Sequence, residues 1–208
     1  MPSTRYQKIN AHHYRHIWVV GDIHGEYQLL QSRLHQLSFF PEIDLLISVG
    51  DNIDRGPESL DVLRLLNQPW FTSVKGNHEA MALEAFETGD GNMWLASGGD
   101  WFFDLNDSEQ QEAIDLLLKF HHLPHIIEIT NDNIKYAIAH ADYPGSEYLF
   151  GKEIAESELL WPVDRVQKSL NGELQQINGA DYFIFGHMMF DNIQTFANQI
   201  YIDTGSPN

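Results

Sequence analysis

No cysteine occurs in this chain of 208 residues, so disulfides, thiolate zinc sites and cysteine nucleophiles are all excluded. Basic residues are scarce as well: 12 Lys and Arg stand against 30 Asp and Glu, a formal net charge of -18. Such a charge repels nucleic-acid backbones and anionic membranes, and neither is expected as a partner. Long apolar runs are missing too. Nothing approaches the roughly 20 residues that a membrane span needs, and Met1 to Asn10 lacks the apolar centre of a signal peptide. A cytoplasmic home is therefore the expectation. Any anionic ligand would have to be held by local cations, and with so few Lys and Arg, metal ions are the more economical source.

What is present is an ordinary globular composition, 43% hydrophobic and 20% charged, long enough for one domain with a sizeable core. Ile17 to Val20, Leu45 to Val49 and Phe71 to Val74 read as buried strands. Between them, Glu26 to Leu37 reads as a helix with Leu30, Leu34 and Leu37 on one face. Pro57 opens a second helix, with Leu60, Leu63 and Leu66 inward. A third is expected after Glu79. This βαβαβ order predicts a parallel sheet with helices against it, an α/β fold.

The stretch from about Thr88 to His122 reads differently. Gly89, Gly91, Gly98 and Gly99, with Trp94 and Trp101, mark a loop-rich segment, after which Ser108 caps a helix running towards His121. Strand signals return at His125 to Ile129, Ile134 to Ala139, Tyr182 to Phe185, Ile193 to Phe196 and Gln199 to Ile202. Asn131-Asp132-Asn133 has the composition of a hairpin turn. With no repeat and no low-complexity linker, a single domain over residues 1–208 is expected.

The informative feature lies where the strands end. Val19-Val20 runs into Gly21-Asp22-Ile23-His24-Gly25, and Ser48-Val49 into Gly50-Asp51-Asn52-Ile53-Asp54-Arg55-Gly56. Val74-Lys75 runs into Gly76-Asn77-His78-Glu79, Ile184-Phe185 into Gly186-His187, and Ile138-Ala139 into His140-Ala141-Asp142. Ligands of open α/β sheets collect at the carboxyl ends of strands, so these five endings are expected to converge on one crevice. Asp22, His24, Asp51, Asn77, His140 and His187 offer carboxylate, imidazole and amide ligands. Six such groups suit two divalent ions of intermediate hardness, manganese before iron or zinc, if one carboxylate bridges. Asp51, between the two groups in the chain, is the natural bridge. Any one Gly-Asp ending is more often a plain turn. Four Gly-led endings, each leading at once to a metal-competent side chain, are not explained as turns. His12, His13, His16, His35, His121, His122 and His125 lack this context and read as non-catalytic.

These segments resemble the phosphoprotein phosphatase superfamily of metallophosphatases. Its signatures are Gly-Asp-x-His-Gly, Gly-Asp-x-Val-Asp-Arg-Gly and Gly-Asn-His-Glu, and all three are present, with Ile53 in place of the valine. His140-Ala141-Asp142-Tyr143-Pro144 and Gly186-His187 are similar to the compact bacteriophage-lambda-type branch, which includes enterobacterial serine/threonine phosphatases. The resemblance implies a calcineurin-like metallophosphatase fold, a central β-sandwich flanked by helices with its active site at strand carboxyl ends. It implies Asp22, His24 and Asp51 on one ion, and Asp51, Asn77, His140 and His187 on the other. It makes His78 the general acid, paired with Asp54, and Arg55 the phosphate grip, with Glu79 supporting the loop. The implied reaction is hydrolysis of phosphoserine and phosphothreonine on proteins, by in-line attack of a water made acidic by both ions. Three departures stand out. The branch has Trp-x-Arg where this chain has Trp161-Pro162-Val163, leaving Arg165 as the nearest substitute for a second phosphate-binding arginine. Met188 stands where threonine is usual. Relatives continue through another strand beyond Asp203-Thr204-Gly205, so a C-terminal strand is expected to be missing. The alternative activity, symmetrical hydrolysis of dinucleoside tetraphosphates, goes with alanine at the position of Asp54.

Overall fold

The computed structural model describes residues 4–205; the expectation attached to the chain's end at Asn208 lies outside them. Among the described residues, nine strands form two sheets. The smaller is wholly parallel, ordered β2 (His16–Val20), β3 (Asp44–Ser48), β4 (Phe71–Ser73). The larger has the order β1-β5-β6-β7-β9-β8, built from β1 (Tyr6–Asn10), β5 (Ile126–Asn131), β6 (Ile134–Ile138), β7 (Tyr182–Phe185), β8 (Gln194–Phe196) and β9 (Gln199–Tyr201).

Side-chain alternation explains how the sheets stack. In a strand, successive residues face opposite sides. Ile17 and Val19 of β2, with Leu45 and Ile47 of β3, pack against Ile9, Ile127, Ile129 and Ile138 of the large sheet. The intervening Trp18, Val20 and Leu46 turn the other way, onto Leu30 and Leu34 of α1 (Tyr27–Gln36) and Val62 of α2 (Ser59–Arg64). The outer face of the large sheet is covered by α6 (Ser157–Leu160) and α7 (Asp164–Leu170), through Leu159, Leu160 and Val166 against Phe183 and Phe185. The result is the expected β-sandwich with helices on both faces. A separate helical cluster joins α2 to α3 (Asn77–Thr88), α4 (Asn92–Ala96) and α5 (Asp107–Leu117) around Met81, Trp94, Phe102 and Leu117. Among the described residues no helix is long and apolar enough to cross a membrane.

Several boundaries differ from the sequence reading. α3 begins at Asn77 rather than after Glu79, so the Gly-Asn-His-Glu segment is a helix start and not a loop. α5 is capped two residues earlier than expected: Asn106 accepts from the amides of Ser108 and Glu109, and Glu109 returns a bond to the Asn106 amide, a capping box. β1 has no counterpart among the expected strands, because Tyr6–Asn10 alternates weakly and pairs in parallel with β5, distant in sequence. His125 precedes β5 rather than opening it, with its Nδ1 accepting from the Arg5 amide.

Candidate metal centre

The five strand ends do converge. β2, β3 and β4 are mutually parallel, β6 and β7 likewise, so their carboxyl ends deliver Asp22, Asp51, Asn77, His140 and His187 to one edge of the sandwich. Among the described residues eight non-glycines have positive φ, and five of them are His24, Asp51, Asp54, Arg55 and His187. Left-handed backbone at such residues costs on the order of 1–3 kcal/mol each and persists only where surroundings enforce it. At Asp51 the enforcer is Glu79. Fully buried in the first turn of α3, it accepts from the amides of Asp51 (3.1 Å), Asn52 (2.6 Å) and Gly76 (2.9 Å), and from the Asn52 side chain (3.2 Å). One carboxylate thereby ties the β3 loop to the β4 loop. At Gly76 a Cβ would lie 2.2 Å from Asp51 Oδ1, and at Gly186 2.1 Å from Asp22 Oδ1. The glycines of the motifs leave room for the carboxylates.

In each of two groups the ligand-capable atoms lie within 4.8 Å of one another: His24, Asp51 and His78 in the first, and Asp51, His140 and His187 in the second. Asp51 belongs to both, as a bridging role requires. Asn77 Oδ1 sits between the imidazoles, 2.8 Å from His140 Nε2 and 3.0 Å from His187 Nδ1. The donor set fits cations on internal grounds. His140 Nδ1 donates to the Val49 carbonyl at 2.8 Å, so in the neutral ring Nε2 carries a lone pair, yet it faces Asn77 Oδ1 and Asp51 Oδ2 at 2.8 and 3.4 Å. A positive ion would satisfy acceptors converging in this way. His24 follows the same logic: Nδ1 donates to the Ile53 carbonyl at 2.9 Å, leaving Nε2 turned to Asp51 Oδ2 at 4.0 Å. Asp22 lies close enough to Asp51 for mutual repulsion, and both its oxygens accept from the His187 amide at 3.1 Å.

The electrostatics agree. Burial, then the charges of Asp51 and Asp203, push the Asp22 carboxyl well above its usual range. Burial works in the same direction on Asp51, but His140, His78 and His24 overcome it and bring Asp51 down to about 2. Burial pushes His24 and His187 down to about 4, into the neutral form that can ligate.

His78 occupies a different situation. Its Nδ1 donates to Asp54 Oδ2 at 2.7 Å, and its Nε2 lies 3.3 Å from Nη2 of the exposed Arg55 and 3.8 Å from Asp51 Oδ2. Burial disfavours its imidazolium, yet the Asp54 hydrogen bond and the Asp51 charge outweigh that and raise its pKa. His78 shares a ligand-capable group with His24 and Asp51, but with Nδ1 committed only one ring nitrogen remains for chemistry.

Arg165, expected to bind phosphate, is turned inward. It is 8% exposed, and its Nε donates to Asp142 Oδ1 at 2.7 Å while Nη2 donates to the carbonyls of Tyr143 (2.9 Å) and Gly145 (2.7 Å). Nε and Nη2 thereby brace the loop after His140, while Nη1 donates to Gln175 Oε1 at 3.4 Å. Two residues escape a reading of the sequence alone. The indole nitrogens of Trp94 and Trp101 both donate to Asp54 Oδ1, at 2.9 and 2.7 Å. The available signal is two tryptophans in a glycine-rich stretch otherwise poor in core residues.

A two-sheet sandwich carrying carboxylate, imidazole and amide ligands at its strand ends, with a histidine–aspartate pair beside them, is the architecture of a metallophosphoesterase. The chain belongs to the calcineurin-like phosphoesterase family, whose model matches residues 15–190. It is 60% identical over 206 residues to serine/threonine-protein phosphatase 2 of Salmonella typhimurium, covering 99% of this chain and 94% of that one. It is 45% identical to serine/threonine-protein phosphatase 1 of the same organism, covering 99% and 93%. Among solved structures, a protein serine/threonine phosphatase from Saccharomyces cerevisiae superposes with a TM-score of 0.67 at 18% identity, over 96% of this chain and 71% of that chain. That likeness speaks to fold alone.

Proposed function

We propose that this protein removes phosphate from phosphoserine and phosphothreonine side chains of proteins, using Asp22, His24, Asp51, Asn77, His140 and His187 to hold two divalent cations, manganese before iron or zinc. The observation that carries the reading is the Asp54–His78 pair, at 2.7 Å, beside two ligand groups that share Asp51. The names of the two Salmonella relatives support the substrate class. When bound, such ions make a water acidic enough to ionise near neutral pH and neutralise phosphoryl oxygens. That also answers the net charge of -18, which would otherwise repel a phosphate.

The remaining steps belong to the chain. Arg55, exposed and always charged, takes phosphoryl oxygens through its forked donors. An alkoxide is a poor leaving group, so a proton must arrive as the ester bond breaks. His78 Nε2 delivers it, while Nδ1, held by Asp54, fixes the ring's orientation and favours the imidazolium. Asp54 is also the residue that separates this reading from symmetrical dinucleoside tetraphosphate hydrolysis.

His78→Asn is expected to lower turnover on an alkyl phosphate by about 10²–10⁴-fold, the usual range for general-acid catalysis. The loss on p-nitrophenyl phosphate, whose leaving group needs little protonation, should be far smaller. Equal losses on both remove His78 from the acid role. Release of phosphate from a phosphoserine peptide by the manganese-loaded protein supports the assigned substrate; turnover of diadenosine tetraphosphate alone contradicts it.

A further inference from the structure

The glycine–tryptophan segment between α3 and α5 has no part in the proposed chemistry, yet it touches the site twice. Asp54 and Arg55 are consecutive non-glycine residues in the left-handed region, with φ of 73° and 68°. Aspartate tolerates that region better than most residues, but nothing in the Arg55 side chain favours it. On one side, Trp94 and Trp101 donate to Asp54 Oδ1, while Oδ2 takes His78 Nδ1. On the other, the Gly98 carbonyl accepts from the Arg55 amide at 3.3 Å. A Cβ on Gly98 would meet that amide nitrogen at 2.8 Å, and φ at Gly98 is +105°. Neighbouring Gly99 has the matching role for the indole: a Cβ there would lie 2.6 Å from Trp94. The paired glycines thus let the segment press onto Arg55 and Trp94 together.

The indoles are themselves anchored. Trp94 packs edge-on against Phe86 at 5.4 Å and Trp101 at 6.3 Å, and tilted against Phe102 at 5.7 Å, within the helical cluster. Asp54 is fully buried, so no water replaces a lost donor. A carboxylate with one oxygen held by two fixed donors cannot rotate about its Cβ–Cγ bond, and its second oxygen stays aimed at one partner.

We infer that the Trp94–Trp101 segment is a positioning device for the Asp54–Arg55 tandem: the indoles aim Asp54 at His78, and Gly98 sets the backbone that carries Arg55. The inference rests on the proposed acid role of His78 and deepens it, making Trp94 and Trp101 determinants of turnover for substrates with poor leaving groups, and Gly98 a determinant of KM.

Trp101→Phe keeps a half-buried ring and removes the N–H, and Trp94→Phe does the same deeper in the cluster. Each is assayed with phosphoserine peptide and p-nitrophenyl phosphate on one preparation, so that the ratio of the two kcat values is independent of how much protein is folded. The ratio is expected to fall about tenfold for Trp101→Phe, the scale of one lost hydrogen bond to a charged group, and further in the double variant. Gly98→Ala is expected to raise KM for both substrates through Arg55 while leaving the ratio near that of wild type. His78→Asn is the reference. If it collapses the ratio and the tryptophan variants leave it unchanged, the positioning role is overturned and the acid role stands. If His78→Asn also leaves the ratio unchanged, both are overturned.

Discussion

Glu79→Gln isolates the residue that holds the centre's loops together. The wild-type carboxylate accepts four N–H groups, two on each oxygen. Glutamine keeps the shape but retains acceptor capacity on one side only. On the other side an NH2 group confronts two donors in a site with no exposure. Each buried donor left unsatisfied costs about 1–3 kcal/mol, which sets a loss of roughly 2–6 kcal/mol before relaxation. Removing a charge beside Asp51 offsets part of it, since burial and then Asp51 push the Glu79 carboxyl up to about 7. For a chain of this length each kcal/mol moves the melting temperature by about 2–4 °C, so a fall of roughly 5–20 °C is expected. The assay is thermal unfolding by circular dichroism at pH 8, where the wild-type carboxylate is ionised, in excess chelator so that bound cations do not add stability. A fall under about 2 °C, below 1 kcal/mol, would refute the view that Glu79 ties the β3 and β4 loops.

Arg165→Ala leaves Asp142 buried without its guanidinium and should destabilise by about 3–5 kcal/mol, the usual penalty for orphaning a buried charge. The KM of the folded enzyme should stay unchanged, whereas a raised KM with unaltered stability would support the phosphate-binding role instead. Glu156 accepts from Lys75 Nζ and His125 Nε2, both at 2.9 Å. The His125 bond first, then Lys75, pulls it from 4.5 to about 2. A depressed carboxyl contributes stability above its unfolded pKa and loses it as pH falls through the folded value, so wild type should lose this contribution between pH 4.5 and about 2. Glu156→Gln should show a shallower acid limb in melting temperature against pH, and identical limbs would contradict the pairing.

The parallel unit β2-α1-β3-α2-β4 is legible in the sequence, because continuous apolar strands between amphipathic helices leave few alternatives. The strand-end motifs are legible as a set, because glycine next to a ligand-capable side chain repeats at distant points. Three things are not. That Asn77, His78 and Glu79 form a helical first turn is invisible in a segment whose periodicity begins later. Trp94 and Trp101 reach Asp54 across 40 and 47 positions, and no local pattern encodes such a contact. The inward turn of Arg165 depends on the carbonyls of Tyr143 and Gly145, a loop conformation that side-chain types do not specify.

The claim on which everything turns is that Asp51 is shared by two cation sites. Isothermal titration of the metal-stripped protein with manganese tests it directly. Two equivalents are expected for wild type, about one for His187→Ala, and none with comparable affinity for Asp51→Asn. A single equivalent in wild type, or two retained in Asp51→Asn, would contradict the account.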